Sequence, residues 1–337
     1  MKAKNTVTKI VQIFMVLFTL IVVIVSIVAF VRFFKQLADV LDVSDIKIVP
    51  HEKRWGIYSL NLGSEEVQLL YSSDKSISSL SLYNDTDRFV FSQKADCSEN
   101  ECEEIYTLSL EGNDLQRITN NRKWDLYPVW SPDGSQIAFL RFNETLDIYI
   151  INTDGSSEQL LFDSSFHDSD INWRNDKITF TRNSQIWIMN SDGTSAIQVT
   201  DLSNAGEENN ANLPFGDYDP RISPDGEKII FERLVDDESP HGNYDFFNIN
   251  IDGTGEERLT DSGYSQGIVS WSNDGTKLVY IVSAIDNKGK FDIYVMNSDG
   301  SESSNITPSY FPIDFLCHSP LFSKDDSMIY FIGEWWE

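Results

Sequence analysis

Apolar residues along this chain fall into two regimes. From Ile10 to Phe34 they form one run broken only by Gln12, Thr19, Ser26 and Arg32. Its 19 residues from Ile13 to Val31 carry no charge, which at about 1.5 Å per helical residue spans a hydrocarbon core of ~30 Å. The run exceeds the ~7–15 apolar residues of a cleaved signal peptide. The pattern therefore predicts an uncleaved transmembrane helix over 10–34 behind a short basic segment, 1–9. Phe33, Phe34, Leu37, Val40 and Leu41 continue at helical spacing, so 35–54 reads as a stalk that Pro50 interrupts. Past Trp55 the period changes. Short runs rich in Ile, Val, Tyr, Phe and Trp alternate with Asp-Gly and Asn-Asp turns, the signature of antiparallel strands and hairpins.

These strands come in a repeat. Trp130-Ser131-Pro132-Asp133-Gly134 precedes Gln136-Ile137-Ala138-Phe139, and Trp271-Ser272-Asn273-Asp274-Gly275 precedes Lys277-Leu278-Val279-Tyr280. Ile222-Ser223-Pro224-Asp225-Gly226 begins a third clear copy, while Leu82, Trp173 and Phe322 begin weaker ones. The steps between these six positions are 48, 43, 49, 49 and 51 residues. Each copy has a second half of the form Asp147-Ile148-Tyr149-Ile150-Ile151-Asn152-Thr153-Asp154-Gly155, and a short strand then ends near Thr200, Thr260 or Thr307. One such four-stranded unit cannot bury both faces, so copies must stack, and a closed ring leaves only short edges. The last copy supplies two strands and the segment Trp55–Leu70 supplies two more. The expected fold is all-β: a six-bladed propeller of four-stranded antiparallel blades over 55–337, closed by pairing its N- and C-terminal strands and preceded by the one transmembrane helix.

Trp-Ser-Pro-Asp-Gly-x-x-Ile-x-Phe followed by Ile-Tyr-x-x-Asn-x-Asp-Gly resembles the repeat of TolB-type β-propellers, over about residues 55–337. That resemblance implies the fold. It implies little about function, because the repeat serves periplasmic scaffolds and peptidase-linked propellers alike. Where TolB carries an α/β domain ahead of its propeller, this sequence has an apolar span and a stalk, so TolB's partners do not carry over.

Composition narrows the function. Twenty-six basic against 53 acidic residues exclude a phosphate-binding surface, so no nucleic-acid partner is expected. From residue 55 on there are 18 basic and 49 acidic residues, a balance of −31. Such a surface keeps a domain soluble, or steers basic partners and cations. Lys2, Lys4 and Lys9 precede the span, while Asp39, Asp42 and Asp45 follow Arg32 and Lys35. This bias places the N-terminus in the cytoplasm and the propeller outside, in the periplasm or extracellular space.

Chemistry is sparse. Gly263-Tyr264-Ser265-Gln266-Gly267 fits a serine-hydrolase elbow, but it lies between blades and only His318 follows it. The recurring Asp154, Asp192, Asp252 and Asp299 read as hairpin residues rather than calcium ligands, because a closing Glu is missing. No catalytic residue, metal site or cofactor is expected. Along the inner segments Arg174, Asp219, Arg221 and His318 are the few channel-facing polar residues. Cys97 and Cys102 are candidates for a disulfide in a hairpin tip, with reduced surface thiols the alternative; Cys317 reads as a buried strand residue. Two loops exceed the blade plan: Leu202–Gly216 with Glu207 and Glu208, and Val235–Tyr244 with Asp236, Asp237, Glu238 and His241. Loops on a rigid ring are where specificity resides. The sequence thus predicts a non-enzymatic protein-interaction platform with an unidentified protein partner. Recognition of a small molecule or glycan in the central channel is the alternative, and hydrolysis or lysis there is a weaker one.

Overall fold

The computed structural model describes residues 52–83, 87–97, 102–163, 165–237, 242–283 and 291–337. The expected membrane span, most of the stalk, Glu238 and His241 lie outside these residues. Among the described residues there is no helix long and apolar enough to cross a membrane.

Every regular element in the described residues is a strand. One sheet joins the two ends of the described chain: β1 (Lys53–Asn61) and β2 (Val67–Ser73) meet β23 (Leu316–Phe322) and β24 (Met328–Trp336) in the order β2-β1-β24-β23. The β1–β24 ladder runs unbroken from Lys53↔Trp336 to Asn61↔Met328. β1 begins two residues before the expected start at Trp55, because the Lys53 ammonium pairs with Glu334 and lies over the Trp55 and Trp336 rings.

An eight-stranded sheet follows. Its first part is β3 (Ile77–Tyr83), β4 (Arg88–Ala95), β5 (Cys102–Ser109) and β6 (Gln116–Arg117). Its second part is β7 (Trp124–Trp130), β8 (Gln136–Asn143), β9 (Thr145–Asn152) and β10 (Gln159–Phe162), linked to the first by one parallel bridge, Glu103↔Trp124. Three four-stranded antiparallel sheets complete the fold. They are β11–β14 (Asp168–Arg174, Lys177–Arg182, Gln185–Asn190, Ile197–Gln198), β15–β18 (Asp217–Ile222, Lys228–Asp236, Asn243–Asn250, Glu257–Arg258) and β19–β22 (Ser265–Trp271, Lys277–Ser283, Phe291–Asn297, Ser304–Asn305).

The repeat residues explain the turns. Ser131 Oγ donates to Asp133 Oδ1 at 2.7 Å, and that oxygen also accepts from Ser135 N–H while Gly134 takes φ 68°. Ser223–Asp225, Ser272–Asp274 and Ser323–Asp325 repeat the bond. Asp154, Asp192, Asp252 and Asp299 each accept from the backbone N–H two residues on, as hairpin aspartates do. Threonines then tie the short fourth strands to the third: Thr119, Thr200, Thr260 and Thr307 Oγ1 accept from the N–H groups of Ile105, Ile186, Phe246 and Ile293.

Apolar clusters join the sheets in a closed cycle. Val90 and Ile105 pack on Ile137 and Phe139, and Leu140 and Ile150 on Ile178 and Phe180. Ile186 and Ile188 pack on Ile229 and Phe231, and Ile230 and Phe246 on Leu278 and Tyr280. Val279 and Ile293 meet Phe331 and Phe322 of the sheet formed by the chain ends, whose other face returns through Ile57 and Ile332 to Phe89 and Phe91. Each fully buried Phe or Ile contributes roughly 1.5–3 kcal/mol of transfer free energy.

Candidate functional site

The first strands of the sheets, β3, β7, β11, β15, β19 and β23, share one irregularity. Each carries a bulge in its pairing with the next strand. At each bulge one non-glycine residue takes a left-handed conformation: Ser79, Tyr127, Asp170, Asp219, Ile268 and Ser319, with φ between 46° and 54°. Each stands three positions before its repeat's Trp-equivalent, so the sequence steps recur here unchanged. A bulge of this kind re-aims a side chain, and all six residues line one cavity of 960 Å³.

Arg174, Asp219, Arg221 and His318, expected at the channel, all line this cavity. Asp219 Oδ1 pairs with Arg221 Nη2 at 2.5 Å, and Arg221 Nη1 donates to the Pro220 carbonyl at 3.1 Å. His318 lies 5.4 Å from the Phe291 ring, and its burial holds its pKa below the usual imidazole value despite nearby Glu334. Arg174 ends β11 and has no ion pair among the described residues; burial lowers its pKa.

Two acids stand beside them that the sequence reading did not single out. Glu232, on β16, accepts the backbone N–H of Ile268 at 2.6 Å through Oε1 and neighbours Asp219. Burial, then the neighbouring Asp219, raises Glu232 well above the usual carboxyl range. Asp219 itself is raised to about 6, chiefly by burial. Asp170 adds its charge to both.

The two expected partner loops converge. Asn210 N–H and Nδ2 donate to Asp237 Oδ2 at 3.1 and 3.3 Å, above a small apolar cluster of Tyr218, Leu234 and Tyr244 with Ala211 and Phe215. Leu213 of the first loop reaches the cavity wall. Glu207 and Glu208 are exposed. The second segment is less of a loop than expected, since β16 runs through Val235 and Asp236 and β17 starts at Asn243, paired Asp236↔Asn243. Asp237 is therefore a loop-bridging acceptor rather than a free carboxylate. Cys97 and Cys102 are joined in a disulfide, with Cα atoms 6.1 Å apart, and Cys317 is a buried thiol. Ser265 opens strand β19, so the Gly263–Gly267 motif lacks the strand–turn–helix setting of a nucleophile elbow.

Large apolar side chains collect where the first strands begin. Trp124 and Phe142 pair across β7 and β8, and Trp336 ends β24 opposite Lys53. Phe166, Leu213, Tyr264, Tyr310 and Ile313 lie in the segments leading into β11, β15, β19 and β23. All eight are 40–73% exposed.

No protein-family model matches the chain. An uncharacterized protein of Agrobacterium fabrum is 27% identical over 190 residues, 52% of this chain and 61% of the relative. A TolB homolog of Chlorobium luteolum is 28% identical over 160 residues, 46% of this chain and 33% of the relative. The chain thus spans less than two thirds of these relatives' lengths. Among solved structures, a TolB-type protein from Agrobacterium tumefaciens superposes with a TM-score of 0.63 at 17% identity, covering 84% of this chain and 99% of its own. A chain of a nidogen–laminin complex gives 0.56 at 14%, covering 76% and 94%. An oligogalacturonate lyase from Vibrio parahaemolyticus gives 0.51 at 11%, covering 83% and 96%. The relatives and neighbours support a TolB-type β-propeller. At these identities the structural likenesses speak for fold alone, which hosts both binding proteins and an enzyme.

Proposed function

We propose that this chain is a single-pass membrane protein carrying a six-bladed propeller outside the membrane, and that the ring is a non-enzymatic docking platform for a protein partner. One observation carries the docking reading: the exposed rim of Trp124, Phe142, Phe166, Leu213, Tyr264, Tyr310, Ile313 and Trp336 on one end of the strands. In a domain with a charge balance of −31 from residue 55 on, apolar side chains gathered at one end are the feature a partner's apolar surface would cover. A rigid ring loses little conformational freedom on association, which favours this use. The nidogen–laminin complex contains a chain of the same fold, so the architecture is compatible with a protein partner. The membrane tether rests on the 10–34 apolar run, and the outward orientation on the lysines before it.

The test is purification of the tagged full-length protein from its native membranes in mild detergent, beside a Tyr310→Asp/Ile313→Asp variant. The expected result is a stoichiometric protein partner that the variant loses while its melting temperature stays unchanged. Retention of the same partner by the variant, or no partner with either, overturns the rim as a docking surface. The cavity favours a second reading, recognition of a small molecule in the channel, because its 960 Å³ is the size of a ligand pocket.

A further inference from the structure

The channel is chemically uneven along its axis. Asp170, Asp219 and Glu232 lie toward the end where the first strands begin, whereas Arg174 closes β11 at the end of the Ser-Pro-Asp-Gly hairpins. Arg174 lies four positions along the strand from Asp170, at most about 13 Å of chain.

Arg174 is unusual for this protein. Eight arginines among the described residues sit in ion pairs with Asp or Glu. Arg122 is exposed. Arg174 is half-buried at the cavity wall, and no hydrogen bond or ion pair engages its guanidinium among the described residues. Asp225 contributes only at longer range, and its Oδ1 is already occupied by Ser223 Oγ at 2.6 Å and Glu227 N–H at 3.0 Å. Acids outnumber bases by 49 to 18 from residue 55 on, so the missing partner is not a matter of supply. A desolvated guanidinium keeps five fixed N–H donors, a fork that matches a carboxylate in two parallel bonds.

We propose that Arg174 is the anion-receiving group of the channel, and that the hairpin end of the cavity takes a ligand's carboxylate. A single charge is favoured over a polyanion, because one guanidinium must serve it and the carboxylates of the opposite end repel further negative charge. Pro132 and Pro224, from the hairpins on either side of the one that carries Arg174, supply apolar wall, and Asn175 supplies an amide. This site lies at the opposite end of the strands from the aromatic rim and does not depend on the docking reading.

The test labels the full-length wild-type protein in detergent micelles with the arginine reagent phenylglyoxal and maps modified peptides by mass spectrometry. Benzoate and its neutral counterpart benzamide are the competing probes, and exposed Arg122 is the internal control. Half-protection of Arg174 is expected at roughly tenfold less benzoate than benzamide, in keeping with a charge-assisted pair, with Arg122 unprotected by either. A hexapeptide with a free C-terminal carboxylate, set against its amide, separates the sources. Stronger protection by the free peptide than by benzoate points to a chain terminus, and the reverse to a small free acid. Equal protection by benzoate and benzamide, equal shielding of Arg122, or failure of Arg174 to react at all overturns the proposal. None of these outcomes bears on the rim substitutions, so the two readings fail separately.

Discussion

Glu232 Oε1 accepts the backbone N–H of Ile268, 36 residues later in the chain, at 2.6 Å. The bond fastens the second strand of one sheet to the bulge of the next sheet's first strand, at the cavity wall. The other side of the same carboxyl meets Asp219, whose own partner is Arg221. The folded protein thus keeps its proton here to a higher pH than the unfolded chain would.

Stability should follow that proton. Burial is the largest cause of both shifts, and Asp219 is raised to about 6. The stabilisation is complete below pH ~4, where the unfolded carboxyls are also protonated, and is lost as the pH rises through about 6 and beyond. Asp170 and Arg221 face the pair with opposite effects, the acid raising Asp219 and the guanidinium lowering it. Glu232→Gln keeps an acceptor for Ile268 and a donor for Asp219 without a charge. Its melting temperature should exceed wild type at pH 8 by roughly 2–4 °C, and match it at pH 4. Thermal melts at the two pH values decide; an equal difference at both would remove the proton from the account.

Gly267 is the backbone beneath that carboxyl. A Cβ there would stand 2.9 Å from Glu232 Oε2 and 3.1 Å from Cδ. Gly267→Ala should cost about 1–3 kcal/mol in urea unfolding. In the Glu232→Ala background, where the head group is gone, most of that cost should vanish.

Arg233 grips Asp217 with two hydrogen bonds, 2.5 and 2.9 Å, and Glu256 with two more. Arg141 holds Asp125 and Glu158 at the corresponding place, and Arg182 holds Asp168. Arg233→Met would strand the buried Asp217 carboxylate at a cost of about 3–5 kcal/mol. Pairing it with Asp217→Leu should recover most of the loss in the same denaturation experiment. If the double variant is as weak as the single, packing rather than the stranded charge sets the cost.

The Cys97–Cys102 disulfide makes a statement about compartment. In protein taken from native membranes under alkylating conditions, neither cysteine of this pair should be modified before reduction. Cys317, buried, should react only after unfolding. Alkylation of Cys97 or Cys102 without reductant would argue against an oxidising surround.

The strands and turns were legible because their causes are local: alternation, Asp-Gly hairpins and a fixed Trp-equivalent position. The site was half legible. Asp219 was visible as a charge within an inner segment, but Asp170, four positions before Arg174, was not. The bulge shifts which residue faces the axis, and a simple two-residue period does not register that shift. Counting three back from each Trp-equivalent would have found it. Glu232 stands ten residues after Ile222, where other copies carry Leu140, Ile281 and Ile332; a carboxylate in an apolar register was the available signal. The bond between Asp237 and Asn210 had none, because it joins residues 27 apart across two irregular segments.

The Lys53↔Trp336 pairing also fixes an order of events. A ribosome delivers β1 long before β24, so β1 waits without its neighbour while the intervening sheets are made. Ring closure is a contact of very high sequence separation, and the loop entropy it must overcome is repaid only when β24 slides between β1 and β23. Until then one flank of β1 and the apolar faces beside it are open to mispairing. The seam that leaves the folded ring without a long free edge is the step at which a nascent chain is most exposed to aggregation, and a chain cut short ahead of β24 would remain at that step.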